Sequence, residues 1–201
     1  MGKAKGPLTT RCKCGSVRLE LDPAGVSAAT RLRCYCHDCQ SASRHLGHDL
    51  PAHGGTDLVH TTPDRLTIVS GQENLAILRL GPRGLCRWYA KCCGTPMFSV
   101  LPKPGRPFLG LSVHDWETGK ADQVVGPVWG HAFTASAPKG GGAPARDAHF
   151  AGVGLKIVTR MLGAYLTGRT GQNPLLTPAG DWFVTPTVLT REQRAAARRS
   201  A

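Results

Sequence analysis

Seven of the chain's eight cysteines fall into three tight groups, and that pattern constrains the fold more than any other feature of the sequence. The groups are Cys12-x-Cys14, Cys34-x-Cys36-x2-Cys39 and the adjacent pair Cys92-Cys93. Turns of the C-x-C and C-x2-C kind set two sulfurs on one side of a tight bend. Zinc, with bonds of about 2.3 Å to each sulfur, accepts them tetrahedrally. Cys86, alone in RGLCRWYA, stands where an apolar residue would serve equally well and reads as a core residue. A structural zinc takes four protein ligands, whereas a catalytic one takes three and keeps a position for water or substrate. The stretch RLRCYCHDCQSAS offers three, so whatever completes its shell decides between a knot and a reactive centre.

The compartment decides whether clustered thiols serve metals or disulfides. The N-terminal MGKAKGPLTT carries charge with no apolar run behind it, so no secretory signal is expected. Gly6 stands where a myristoylation motif needs Ser or Thr. No run of about 18 apolar residues marks a membrane span. A cytoplasmic location is expected, and there clustered cysteines favour metal or thiol chemistry. CHDC (36–39) also has the C-x2-C form of thioredoxin-like proteins, which place it between a strand and a helix. The following QSASRHLGHD lacks a sustained helical stripe and Cys34 crowds the motif, so metal binding is the expectation.

Around these groups the chain reads mainly as short strands. In CKCGSVRLELD, Val17, Leu19 and Leu21 alternate with Arg18 and Glu20, a half-buried strand. ATRLRCYCHDCQ reads as a strand running into a cysteine turn, and residues 47–65 as a long irregular loop. RLTIVSG, NLAILRLG and FLGLSV read as strands. Gly (25) and Pro (15) favour turns and short strands over long helices, and a hydrophobic fraction of 41% supports a buried core. After a Gly/Pro-rich linker at 136–147, Phe150, Val153, Ile157, Met161 and Tyr165 recur at helical spacing. Thr190 and Gln193 form a capping box opening a short basic helix. The expected organisation is a basic tail at 1–11, a zinc-binding domain at 12–135, the linker, and a helical extension at 148–201.

The formal net charge is +12. Two thiolate zinc sites would lower it to about +9, because metal binding releases protons. A basic surface attracts nucleic acid but equally draws in small anionic substrates. Arg191, Arg194, Arg198 and Arg199 gather near the C-terminus, so a non-catalytic zinc module binding nucleic acid or a protein through its basic surface is the alternative function. Trp88 and Tyr89 read as packing residues rather than base-stacking ones. GTP at 94–96 lacks the frame of a phosphate loop, and Gly94 serves the turn after the cysteine pair.

CKCGSVRLEL, CYCHDCQSAS and CCGTPMF, in that order, resemble the glutathione-dependent formaldehyde-activating enzyme family, which includes centromere protein V relatives. The resemblance covers about residues 10–115. Its pattern is C-x-C-G, then C-x-C-x2-C-[QR], then C-x2-C-G-[ST]-P; the first two match fully. In the third, Cys93 matches, Ala90 stands at the first cysteine position, and Cys92 takes its place. The resemblance implies a mainly β, β-tent fold of small antiparallel sheets holding two zinc ions. It implies a structural zinc on Cys12, Cys14, Cys92 and Cys93, and a catalytic zinc on Cys34, Cys36 and Cys39. The implied activity is a carbon–sulfur lyase that condenses glutathione, or another small thiol, with formaldehyde or a similar aldehyde. No motif locates the glutathione contacts. A zinc with three thiolates binds a substrate thiol as thiolate and polarises a carbonyl. His37, His45 and His48 are candidates for a fourth ligand or a proton shuttle.

Overall fold

The computed structural model describes residues 6–198. The chain runs through β1 (Leu8–Arg11), β2 (Arg18–Leu21), α1 (Pro23–Ala28), β3 (Thr30–Cys34), α2 (His37–His45), β4 (Thr56–Thr61), β5 (Leu66–Ser70), β6 (Leu75–Arg79), β7 (Cys86–Ala90), β8 (Thr95–Val100), β9 (Leu109–Val113), α3 (Thr118–Val124), β10 (Gly130–Ala132), α4 (Phe150–Leu166), β11 (Thr187–Val188) and α5 (Arg191–Arg198). The expected mainly β fold is what forms. A three-stranded sheet has the order β1-β2-β5, and an eight-stranded sheet the order β10-β3-β4-β9-β8-β7-β6-β11. The small sheet is antiparallel. The large one is antiparallel through its centre, with β10 and β11 added in parallel at its two edges.

Alternation along the strands builds two packing faces. Leu8, Leu19 and Leu21 of the small sheet join Val59, Ile77, Trp88, Phe98 and Leu111 of the large one in the main core. Trp88 stacks on Phe98 with ring centroids 5.3 Å apart. The opposite face of the large sheet carries Leu78, which packs with Ala42 of α2 and Leu189 before α5. On β7, Cys86, Trp88 and Ala90 are buried in the core, while Arg87 and Tyr89 alternate to the α2 side. Trp88 is therefore a packing residue, and Cys86 a core residue outside both cysteine groups.

Several elements depart from the sequence expectation. Residues 8–11 lie in β1, paired with β2, rather than in a tail; residues 1–5 lie outside the described residues. The supposed loop at 47–65 contains β4, which is interior to the large sheet. Its Asp57 and His60 are buried polar residues, which hid the strand's period. Asp57 accepts from Arg31 Nη2 at 2.7 Å in a buried ion pair, so the polar residue at this core position is neutralised in place. The helix α2 follows directly on the cysteine turn. Its buried residues, Cys39, Gln40, Ser41, Ala42 and Ser43, run consecutively and are too small and polar to show an apolar stripe. Of the stretch read as a helical extension, α4 and α5 are helical. Between them Leu175 enters the main core, with Trp182 and Phe183 packed against it, and β11 extends the large sheet. The helix α4 buries Val153 and Ala164, whereas Phe150 and Tyr165 of the expected face are exposed. The capping box forms as expected: the Gln193 amide N–H reaches Thr190 Oγ1 at 3.2 Å, and the Thr190 N–H reaches Gln193 Oε1 at 2.9 Å.

Buried histidines give the fold a pH dependence. Burial pushes His60 down to about 4, and its Nδ1 is without a hydrogen-bond partner. Burial, with His48 nearby, does the same to His114, also to about 4. In the unfolded chain histidine titrates near its ordinary value of about 6.5. The unfolded state therefore binds protons that the fold excludes, so stability is full above about pH 6.5 and falls as pH drops towards 4. Urea unfolding of His60→Gln should lose less stability over that interval than wild type, by on the order of 3 kcal/mol. Equal losses would show that His60 does not titrate with folding.

Candidate metal centres

The first centre joins two turns. Cys12 and Cys14 lie in the turn between β1 and β2, which the Cys12 N–H closes on the Val17 carbonyl at 3.0 Å. Cys92 and Cys93 lie in the turn between β7 and β8, closed by the N–H groups of Cys93 and Gly94 on the Ala90 carbonyl at 3.2 and 2.8 Å. All four sulfurs lie within 4.8 Å of one another. Cys12 and Cys14 are 3.5 Å apart, Cys14 and Cys92 3.3 Å, and Cys92 and Cys93 3.9 Å. Sulfurs placed about 2.3 Å from a central zinc would be about 3.8 Å apart in a tetrahedron, so the four fit that ion. The bend that lets adjacent cysteines converge needs Gly94, whose φ is +68° and whose added Cβ would lie 2.2 Å from the Leu46 carbonyl oxygen. The Val17 N–H points at Cys12 Sγ from 3.2 Å, a donor suited to an anionic sulfur. The Ser16 hydroxyl and N–H, with help from Cys92 and Cys12, pull Cys14 down to about 6.

The second centre is built where β3 ends and α2 begins. Cys34, Cys36 and Cys39 lie within 4.8 Å of one another, with Cys34 and Cys39 buried. Cys36 caps α2, its sulfur accepting from the Cys39 N–H at 3.4 Å. A C-x2-C pair between a strand and a helix is the setting that a thioredoxin-like motif requires, so the missing helical stripe does not count against that reading, whereas the crowding by Cys34 does. What distinguishes this site is its third sulfur: Cys34 Sγ lies 3.9 Å from Cys39 Sγ. Three crowded sulfurs do not ionise alike without a cation. Hydrogen bonds from Cys34 and Cys36, and then the Arg87 guanidinium, hold Cys39 well below the usual thiol range. Hydrogen bonding with Cys36 and Cys39, and then burial, push Cys34 up. Arg87 Nη1 sits 3.6 Å from Cys39 Sγ. Among the described residues no His, Asp or Glu joins the three sulfurs.

A small cavity lies beside this centre and shares wall residues with a larger cleft, which reaches Cys93 of the first centre. The cleft, of about 180 Å³, is lined by Lys13, Arg33, His48, His53, His114 and Trp116, among others. The small cavity, of about 30 Å³, is lined by Cys39 and Arg87. Ser43, Thr56 and Pro96 line both. Thr56 Oγ1 and Arg33 Nε are buried without a hydrogen-bond partner, which fits walls shaped for a polar guest.

The candidate histidines separate. His37 and His45 are exposed, while His48 lines the cleft, its ring 4.9 Å from that of His114. The basic C-terminal residues are partly engaged. Arg198 pairs with Asp38 at 3.7 Å, and Arg44 donates to the Ala197 carbonyl at 3.3 Å, fastening α5 to α2. Arg199 lies outside the described residues. Sequence reasoning missed Arg87, Thr56 and Arg33. Strand alternation sets Arg87 opposite Trp88, but only the docking of α2 on that face brings it to Cys39.

Residues 4–182 match the family described as "Family of unknown function (DUF6151)". A Rhodobacter sphaeroides protein of known crystal structure, a structural-genomics target, is similar at 23% identity over 55% of this chain and 94% of its own, with a TM-score of 0.37. No curated protein matches.

Metal analysis of the purified protein should give about two zinc ions per chain; one or none would refute the two-centre arrangement. Cys12→Ser should lower the thermal midpoint sharply, because a structural zinc contributes folding free energy directly. Cys34→Ser should release one zinc with a smaller loss, and equal losses would make both centres structural. Gly94→Ala should destabilise by about 2 kcal/mol or more in chemical unfolding, and a neutral result would contradict the tight turn.

Proposed function

We propose, for a chain that belongs to the family DUF6151, whose function is unknown, that it is a two-zinc enzyme of the carbon–sulfur lyase type. It would join glutathione or another small thiol to formaldehyde or a similar aldehyde, as the resemblance to the formaldehyde-activating family implies. The observation that carries this reading is the three-sulfur group of Cys34, Cys36 and Cys39 beside a cavity that shares its walls with a larger cleft. Cys12, Cys14, Cys92 and Cys93 supply four sulfurs of their own and fit a structural ion. The second group is thus free to bind an ion with one position left over.

Bound there, a zinc ion would supply Lewis acidity and lower the pKa of a ligating thiol to near neutrality. The rest falls to the chain. Lys13 and Arg33 at the cleft favour an anionic thiol such as glutathione. Ser43 and Thr56, which line both cleft and cavity, offer hydroxyls to the aldehyde oxygen. The thiol sulfur adds to the carbonyl carbon, a carbon–sulfur bond forms as the carbonyl π bond opens, and the thiol proton ends on the new hydroxyl. A cytoplasmic setting, where thiols stay reduced, belongs to the same reading; among the described residues no helix is long and apolar enough to cross a membrane.

The alternative, a zinc module that binds nucleic acid or a protein partner, draws on the charge of +12. It is the weaker reading because α5, where the basic residues gather, lies packed on α2 through Arg44 and Arg198. Exchange NMR of glutathione and formaldehyde tests the choice. The zinc-loaded protein should accelerate S-hydroxymethylglutathione formation over the spontaneous rate, and Cys34→Ser should remove the acceleration. No acceleration, together with salt-dependent binding to a polyanion, would replace the lyase reading with the alternative.

A further inference from the structure

Arg87 differs from the buried arginine of β3, Arg31, which has Asp57 and Asp122 as partners. Among the described residues no carboxylate lies within ion-pair distance of Arg87; its recorded hydrogen bond is to Cys39 Sγ at 3.6 Å. The half-buried side chain leaves β7 on the α2 side of the sheet and lines the small cavity together with Cys39. A guanidinium keeps its charge at any physiological pH and cannot ligate a metal. It is therefore a fixed positive charge at the mouth of the three-sulfur group.

We propose that Arg87 makes this centre selective for an anionic fourth ligand, so that a small thiol is held there as its thiolate. The inference rests on the two-zinc reading above and names the residue that sets the class of guest. The charges explain the need. Three thiolates around a divalent cation leave one net negative charge, and a fourth thiolate adds a second in a site largely closed to water. Each added anion in such surroundings is costly unless a cation is already in place. Arg87 is that cation, positioned by the sheet before any ligand arrives. The incoming thiol gives its proton to solvent, its sulfur takes the open position, and Arg87 faces both that sulfur and Cys39. A neutral ligand such as imidazole gains nothing from the guanidinium. Arg87 is accordingly a positioning and specificity residue, acting on the guest through charge.

Cobalt-substituted full-length protein tests this by a readout independent of turnover, because sulfur-to-cobalt charge-transfer absorption reports each thiolate bound. In wild type, titration with 2-mercaptoethanol should give a saturable rise, and titration with imidazole a distinct, weaker change. In Arg87→Gln the thiol affinity should fall by about tenfold or more, with imidazole affinity unchanged and both cobalt ions retained. Arg87→Lys, which keeps the charge, should lose less. Equal thiol affinity in wild type and Arg87→Gln would overturn the role of Arg87 and leave the two-zinc reading standing. A wild-type spectrum that moves with neither ligand would mean that the centre has no exchangeable position, and would overturn both. If Arg87→Gln loses cobalt from the three-sulfur group, Arg87→Lys decides. Near-wild-type thiol binding by the lysine variant supports the inference, and loss of cobalt there too makes Arg87 a structural part of the centre and overturns it.

Discussion

Thiolates crowded within 4.8 Å of one another repel, and the fold brings seven sulfurs to that range in two groups. Without a cation the protons must be shared unevenly. Cys14 is drawn down to about 6, while burial, with Cys14 and Cys93, pushes Cys92 up to about 12. A divalent ion removes the conflict, since coordination deprotonates each thiol. The first group also carries a mechanical consequence. Cys12 and Cys14 belong to the hairpin of the small sheet and Cys92 and Cys93 to a hairpin of the large one, so an ion held by all four fastens the sheets across their shared core. The Lys13 N–H on Thr95 Oγ1 at 3.1 Å runs across the same junction.

The two groups are close neighbours in the fold. The turn that carries Cys92 and Cys93 passes under the end of α2, with Gly94 against the Leu46 carbonyl, and α2 carries Cys39 and is capped by Cys36. Order at the first group thus fixes the helix that positions the second. Cys93 and Lys13 reach the cleft wall from one side and Ser43 of α2 from another. Ligand number separates the two: four sulfurs can close a shell, whereas Cys34, Cys36 and Cys39 are three, two of them buried, beside a cavity and the Arg87 guanidinium.

The legible part of the fold was that written in regular spacing. Alternation at Val17, Leu19 and Leu21 gave β2, the 3.6-residue period gave α4, and Thr190 with Gln193 gave the start of α5. The cysteine groups were legible as groups, and the structure brings Cys12 and Cys14 to Cys92 and Cys93, and Cys34 and Cys36 to Cys39. The unread elements are those whose burial runs against composition. Strand β4 is interior to the large sheet, yet carries Asp57 and His60, because Arg31 neutralises the first and burial holds the second uncharged. The helix α2 buries serines, a glutamine and a cysteine, so no apolar stripe announces it. Arg87 was invisible for a different reason: its meaning depends on the helix packed against its strand, and that is tertiary information.

The two centres differ most in their sulfur count. X-ray absorption at the zinc edge of the fully loaded protein measures it directly. A centre with four sulfurs and one with three predict an average of about 3.5 sulfurs per zinc, with one light atom completing the second shell and rising to about four sulfurs when a small thiol is added. An average of four before any thiol is added, or a loaded protein in which added thiol changes nothing, would contradict it.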